Sequence, residues 1–368
     1  MRTTYPTLPV SWYVDDEMFQ REQQTIFSSA SQYVGVIGMV PETGSFRTVP
    51  QTEHSEILVR NKNGIELLSN ICLHRSMQMI QGAGKAKAFT CRMHCWSYDL
   101  GGKLLKAHQY PETPCRNLPR RAVQNWNGIL FAGDRPVSAD LAALGGRPEL
   151  DVSNYLFLQS QEETQEVNWK IPVEVLLENY HVPLIHPGLS RYVPGSIWTG
   201  TEGTYEGEWL SYQEMPPHPD FAHNPASEVF ERWQQAILMV NGGKPPAVAA
   251  IIGAYYPNTF LEWYPFMMVV TVYTPLAPRK SLMTRDFFYY PKALDVVPQF
   301  AELAKAAWDE NQRQDDHVHY ALQRGRELHY RRCPNDLSGY EIYQAPMEES
   351  VQLFHAKLMH AMGGLVNE

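Results

Sequence analysis

The chain has 368 residues, 44% of them apolar and 19% charged, with a net charge of −9. That length exceeds one small core and predicts two domains. The acidic balance, without any Lys/Arg run, argues against nucleic acid, because phosphate binding needs a concentrated basic surface; it would suit a positively charged protein partner. The opening MRTTYPTLPVSWYVDDEMF holds no basic region followed by an apolar stretch, and no run of about 18 apolar residues exists, so neither a secretory signal nor a membrane span is expected. The cysteines, Cys72, Cys91, Cys95, Cys115 and Cys333, are odd in number and too few for a disulfide framework. A cytoplasmic protein is expected, and there clustered Cys and His point to metal.

In chain order, residues 13–32 mix charged and apolar positions in helical fashion. From about 34 to 134 short apolar runs such as YVGVIGMV, SEILVRN and NGILFAGD are cut by Gly, Pro and Asn, which predicts a small antiparallel β domain. VSADLAALGGRPELDVSNY reads as a linker. IPVEVLLENYH predicts a helix, its early Pro being tolerated in a first turn. MMVVTVYTPLAP and SLMTRDFFYYP read as neighbouring antiparallel strands, residues 296–328 as one long helix, and MEESVQLFHAKLMHAM as a last helix ending at Gly363–Gly364.

The stretch NICLHRSMQMIQGAGKAKAFTCRMHCWSY places Cys72 and His74 in one pair and Cys91 and His94 in another. Two Cys and two His can close a tetrahedral zinc site. They can equally hold a [2Fe–2S] cluster of Rieske type, with thiolates on one iron and imidazoles on the other. Each pair here supplies one sulfur and one nitrogen, so two loops can each reach both irons; common zinc spacings group Cys with Cys and His with His. The spacing favours the cluster. Gly82, Gly84, Gly101 and Gly102 are placed for tight loop turns, and Trp96 and Tyr98 are placed to shield the cluster or hydrogen-bond to it.

Further on, NWKIPVEVLLENYHVPLIHPG brings His181 and His186 five residues apart, on a helix just ending, where two imidazoles can converge on one ion. A 2-His-1-carboxylate triad needs one carboxylate more and leaves positions open for O₂. ENQRQDDHVHYALQRG offers Asp315 and Asp316, with His317 and His319 competing by residue type. Glu178 lies three residues before His181, on the same helical face, and Glu174 one turn earlier.

These motifs are similar to those of the large subunits of Rieske non-haem iron ring-hydroxylating oxygenases: CLHR, CRMHCWSYDLGGKL, VPETGSF and EILVRNKNG for the Rieske part, NWK…ENYH…H and D…QRG for the catalytic part. The resemblance spans nearly the whole chain. It implies an α+β protein with an N-terminal helical segment (1–33), an all-β Rieske [2Fe–2S] domain (34–150) and a catalytic mononuclear-iron domain of helix-grip type (151–368), with YPNTFLEWYP opening the substrate-binding sheet. It implies Cys72, His74, Cys91 and His94 as cluster ligands and His181, His186 and Asp315 as iron ligands, Asp315 being eight residues before Gln323. Glu178, generally Asp in the family, would be the electron bridge from the catalytic His to a Rieske His of the neighbouring subunit, with Glu174 the alternative.

This chain departs from the family at Arg92 and Met93 (usually Pro-Tyr), at Cys95 (usually Gly) and at Ser76 (often Gly). Cys95 is expected to be a packed thiol near the site and no ligand. The implied function is that of a terminal oxygenase. A reductase, sometimes with a ferredoxin, delivers electrons from NAD(P)H, and O₂ is used to mono- or dioxygenate a small organic substrate, in a homotrimer. Tyr192, Trp198, Tyr255, Tyr256 and Trp263 suggest an aromatic substrate; oxidative demethylation of a betaine or methyl ether is the alternative, and a non-enzymatic zinc or [2Fe–2S] electron carrier the reading from another class.

Overall fold

The computed structural model describes residues 7–194, 204–334, 342–344 and 347–363, so Trp198 and Gly364 lie outside it. The chain forms two compact units. One comprises Ser29–Ala139 and Arg147–Phe157; the other comprises Met1–Ser28, Asp140–Gly146 and Leu158–Glu368. The N-terminal helical segment therefore belongs with the larger, C-terminal unit. It is built from helix α1 (Asp16–Glu22), whose first amides are capped by the Asp15 carboxylate, and continues as a π turn to Phe27.

The smaller unit is all antiparallel. A five-stranded sheet runs in the order Ala83–Lys85, Ser45–Thr48, Glu56–Asn61, Gly64–Ser69, Arg120–Arg121, beside two three-stranded sheets. The period of two along ILV decides its packing. Ile57 and Val59 face one side, with Leu68, Trp96 and Tyr98 and the two ligand-type cysteines. Leu58 faces the other, against Val34, Val40 and Leu130. The candidate cluster loops thus rest directly on a hydrophobic core.

The larger unit carries a seven-stranded antiparallel sheet. Its strands are β1 (Leu156–Gln165), β2 (Thr204–Glu206), β3 (Leu210–Met215), β4 (Ala250–Tyr255), β5 (Thr259–Tyr264), β6 (Met267–Ala277) and β7 (Lys280–Tyr289), in the order β1-β7-β6-β5-β4-β3-β2. The two runs expected as neighbours are β6 and β7, paired from Met267↔Tyr289 to Ala277↔Lys280.

Helix α2 (Lys170–Leu177) and short helix α3 (Val182–Ile185) lie in this unit with α4 (Glu228–Val240), the 33-residue α5 (Phe300–Arg332) and α6 (Glu349–Ala361). Along α5, Phe300, Ala304, Ala307 and Trp308 form the stripe that packs with Tyr264, Met267, Phe287 and Tyr289 of the sheet. Asn311, Asp315 and His319 continue that stripe, so the helix changes from apolar to polar on one face.

The Asn-Trp-Lys prelude to α2 is scaffold. The Asn168 side chain accepts from the Lys170 amide at 3.0 Å, while Trp169 Nε1 and Lys170 Nζ both donate to Glu22, at 2.9 and 2.5 Å. This fully buried ion pair ties α1 to α2. The expected helix through His181 stops earlier: Glu178 is extended (φ −123°, ψ 159°), and the chain restarts as α3 after His181.

Candidate cluster-binding loops and active site

The two Cys-His loops of the smaller unit share one backbone pattern. The Cys72 amide donates to Met77 O at 2.9 Å and the Ser76 amide to Cys72 O at 3.0 Å; the Cys91 amide donates to Trp96 O at 2.8 Å and the Cys95 amide to Cys91 O at 3.0 Å. The fifth residue of each loop, Ser76 or Cys95, sits in the left-handed region, at φ 56° and 57°. That explains both departures from glycine: each falls where the turn needs positive φ, which glycine adopts most cheaply.

The loops bring the two thiols beside each other and the two imidazoles beside each other. Cys72 and Cys91 are buried, with exposures of 1% and 2%. His74 and His94 are half-buried, with their Nδ1 atoms 3.1 Å apart. Sulfur lies inward and imidazole outward, in two pairs, which is the donor set a Rieske [2Fe–2S] cluster takes. Burial pushes the Cys91 thiol up, with Cys72 beside it adding in the same direction, so a bare thiolate is disfavoured until a metal compensates it. The Tyr98 hydroxyl is 3.6 Å from Cys72 Sγ and accepts from the Leu73 amide at 3.3 Å. Trp96 stacks on His74 with centroids 4.8 Å apart. Cys95, expected to be packed, is exposed: the left-handed turn carries its side chain to the surface.

In the larger unit, His181, His186 and Asp315 converge, their ligand atoms all within 4.8 Å of one another. Asp315 Oδ1 is 2.8 Å from His186 Nε2 and 3.8 Å from His181 Nε2. His186 Nδ1 contacts Gln314 Oε1 at 2.7 Å and His181 Nδ1 contacts Glu178 Oε1 at 2.5 Å. Each imidazole is thus oriented through its far nitrogen, the arrangement metal-bound histidines use. Burial works against charge on His186, but Asp315 and Gln314 outweigh it and hold the imidazole above its ordinary range.

Among the alternatives, Asp316 turns away to Gln312 (2.5 Å) and Gln165 (3.4 Å), and His317 is exposed. His319 is buried, with no hydrogen-bond partner for either ring nitrogen among the described residues, and burial pushes it down to about 4. Glu174 is occupied by Tyr13 (2.5 Å), His355 (3.0 Å) and Arg326 (2.8 Å). Glu178 reaches His181 by a different route from the expected helical face. Because α2 has ended, its Oε2 caps the amides of Tyr180 and His181, and that capping aims Oε1 at the ring.

The triad opens on a cleft of about 580 Å³ lined largely by aliphatic chains, Val175, Leu176, Leu189, Val193 and Ile252 among them. Of the aromatic residues expected there, Tyr192, Tyr255, Tyr256 and Trp263 do not line it, and Trp198 lies outside the described residues. Tyr192 is buried and stacked on Trp233, Tyr255 and Tyr256 line a separate small cavity, and the rings of this cleft are Tyr264 and Trp308.

One cleft residue missed from sequence is Glu262, which is 1% exposed. Thr271 donates to its Oε1 at 3.0 Å and Tyr264 to its Oε2 at 3.3 Å. Burial pushes its carboxyl up to about 7, against the pull of Arg285, Thr271 and Tyr264. The alternation Phe260, Glu262, Tyr264 could have flagged it as a carboxylate on the core face of a strand.

A β unit with two paired Cys-His loops and a second unit with two imidazoles and a carboxylate under an antiparallel sheet define the class: a Rieske non-haem iron oxygenase. The family described as "Ring hydroxylating alpha subunit (catalytic domain)" matches residues 148–364 and the "Rieske [2Fe-2S] domain" matches 31–121. The chain belongs to the ring-hydroxylating oxygenase alpha-subunit family, and is an O₂-using oxidoreductase with a [2Fe–2S] cluster and a mononuclear iron. It is 38% identical to the putrescine 2-hydroxylase of Ralstonia nicotianae over 95% of this chain and 93% of that one. The quaternary ammonium Rieske monooxygenase CntA has the same fold, with TM-score 0.75 at 17% identity, over 96% of this chain and 95% of that one. So has the naphthalene 1,2-dioxygenase of Rhodococcus sp., at 0.74 and 17%, over 98% and 95%.

Proposed function

We propose that this terminal oxygenase hydroxylates a C–H bond of a short aliphatic diamine. The observation that carries the reading is the triad's position on a cleft whose apolar lining is more aliphatic than aromatic, in a chain 38% identical to a putrescine 2-hydroxylase. Among the described residues an arene would find two aromatic rings there, and the aromatic residues first suspected lie outside the cleft or outside the described residues. One atom of O₂ enters the C–H bond and the other leaves as water, with an electron pair from NAD(P)H through a reductase, with or without a ferredoxin.

Cys72, His74, Cys91 and His94 would hold the cluster, and His181, His186 and Asp315 the iron. When bound, the metals supply electron storage and O₂ activation. The chain supplies position and dryness. Gln314 fixes the His186 ring and Glu178 that of His181, while the aliphatic walls keep water from the reacting carbon. Glu178 is also the proposed bridge to a Rieske His of the next subunit in a homotrimer: each carboxylate oxygen has more than one acceptor site, so Oε1 can accept from a second imidazole.

The test is product analysis with a surrogate reductase, O₂ and a panel of 1,4-diaminobutane, choline, glycine betaine and indole. A hydroxylated diamine is expected. Turnover of indole, or demethylation of the betaine, with the diamine untouched would overturn the reading.

A further inference from the structure

The cleft holds three carboxylates, and two have tasks: Asp315 sits between the imidazoles and Glu178 orients His181. Glu262 is left over. It is buried on β5, on a sheet face where its partners across the strands are Ile252 and Val269. An isolated buried carboxylate is costly, and native folds keep one only when something compensates it. Thr271 and Tyr264 each donate one hydrogen bond to Glu262, and the permanent cation Arg285 acts only at one remove. Its Nε donates to Thr271 Oγ1 at 3.2 Å, and Thr271 in turn donates to Glu262. Arg285 makes no ion pair with Glu262 among the described residues, and its guanidinium lies over Trp308, 4.7 Å from the ring centroid.

A second acceptor in the cleft has no partner among the described residues. Asn311 lines it, and its buried Oδ1 has no hydrogen-bond partner among the described residues. Trp308 packs against Tyr264 with centroids 5.7 Å apart, so the helix turn bearing Trp308 and Asn311 lies over the strand bearing Glu262. A carboxylate with spare lone pairs and an unpaired amide oxygen are acceptors waiting for an N–H donor. A quaternary ammonium has no N–H and is recognised by aromatic faces; here one face of Trp308 is already taken by Arg285.

We propose that Glu262 and Asn311 form the specificity-determining anchor for a primary ammonium group of the substrate, setting the carbon to be hydroxylated at a fixed reach from the iron triad. The inference rests on the diamine reading above and names the residues that would enforce it. The carboxylate provides the charge and the amide a second acceptor, a set that welcomes –NH₃⁺ and leaves –N(CH₃)₃⁺ with unpaired acceptors around it.

The experiment is calorimetric binding of 1,4-diaminobutane and of its N-permethylated counterpart to the anaerobic holoenzyme, its Glu262→Gln variant and its Asn311→Ala variant, alongside turnover. Glu262→Gln should weaken diamine binding at least about tenfold, the loss of one charged hydrogen bond, with cluster absorption unchanged. Asn311→Ala should lower the ratio of diamine to permethylated affinity by about threefold or more, a ratio that a merely structural role would not move. It carries the test alone if Glu262→Gln does not fold. Wild-type hydroxylation of the diamine together with unchanged diamine affinity in Glu262→Gln, or an unchanged ratio in Asn311→Ala, overturns this inference and leaves the substrate reading standing. Wild-type enzyme that neither binds nor hydroxylates the diamine overturns the substrate reading and this inference with it.

Discussion

At the scale of single residues, two backbone torsions explain the least expected side chains of the Rieske loops. Ser76 and Cys95 occupy equivalent left-handed positions, at φ 56° and 57°, where an L-residue costs about 1–2 kcal/mol relative to glycine. Cys95 is exposed, unlike the buried thiols of Cys72 and Cys91. Cys95→Gly is therefore expected to keep the cluster's electron paramagnetic resonance signal and to gain about 1 kcal/mol in thermal unfolding. A folded variant without the signal would make Cys95 a ligand. The sequence showed that this residue was unusual but not why, because a torsion angle leaves no mark on a hydrogen-bonding inventory.

At the scale of elements, the break between α2 and α3 gives Glu178 its role. A continuous helix would have set Glu178 and His181 side by side on its surface. Instead α2 ends at Leu177, Glu178 is extended, and its carboxylate caps two amides of the next turn while holding His181 Nδ1 at 2.5 Å. The charge is needed for both tasks. Glu178→Gln retains one acceptor oxygen and is expected to keep both metal centres while slowing cluster reoxidation in a single turnover, by roughly tenfold or more. A wild-type rate with the mononuclear iron still bound would remove Glu178 from the electron path, and Glu174, already committed to Tyr13, His355 and Arg326, could not replace it.

Elements were legible where periodicity was strong. The strand pair β6–β7, the long helix and the last helix were all visible in the sequence. The break after α2 was not, since Glu-Asn-Tyr-His carries no Gly or Pro to announce it. The convergence of His181 and His186 was anticipated from their spacing, and the choice of Asp315 from the family resemblance. The parts of the site that depend on tertiary contact, Gln314, Glu262 and Asn311, were not: Glu262 and Asn311 become informative only once β5 and α5 face each other, and Gln314 only once α5 meets His186 at the end of α3.

At the scale of the whole molecule, a buried polar network fastens the start of the larger unit to its end. Glu174 on α2 binds Tyr13 near the N-terminus, Arg326 on α5 and His355 on α6. Burial alone would raise its carboxyl. Arg326 and the bonds from His355 and Tyr13 outweigh that and bring it to about 2, from an ordinary 4.5. A depressed carboxylate contributes stability that is fully present above its unfolded value and is lost as pH falls through its folded value. The unit should thus weaken between pH 4.5 and about 2, and Glu174→Gln should flatten that acid limb in urea titrations while lowering stability at neutral pH by about 3 kcal/mol or more. An acid limb unchanged in the variant would place the titration elsewhere.

Two separate metal centres are proposed for the chain, one on the Cys-His loops and one at His181, His186 and Asp315. Iron and acid-labile sulfide analysis of wild type and His186→Ala, with visible spectra, tests this assignment most directly. About three irons per chain are expected in wild type and about two in His186→Ala, with sulfide and cluster absorption unchanged and turnover abolished. A colourless zinc protein, or a His186→Ala variant that keeps its full iron content and activity, would contradict it.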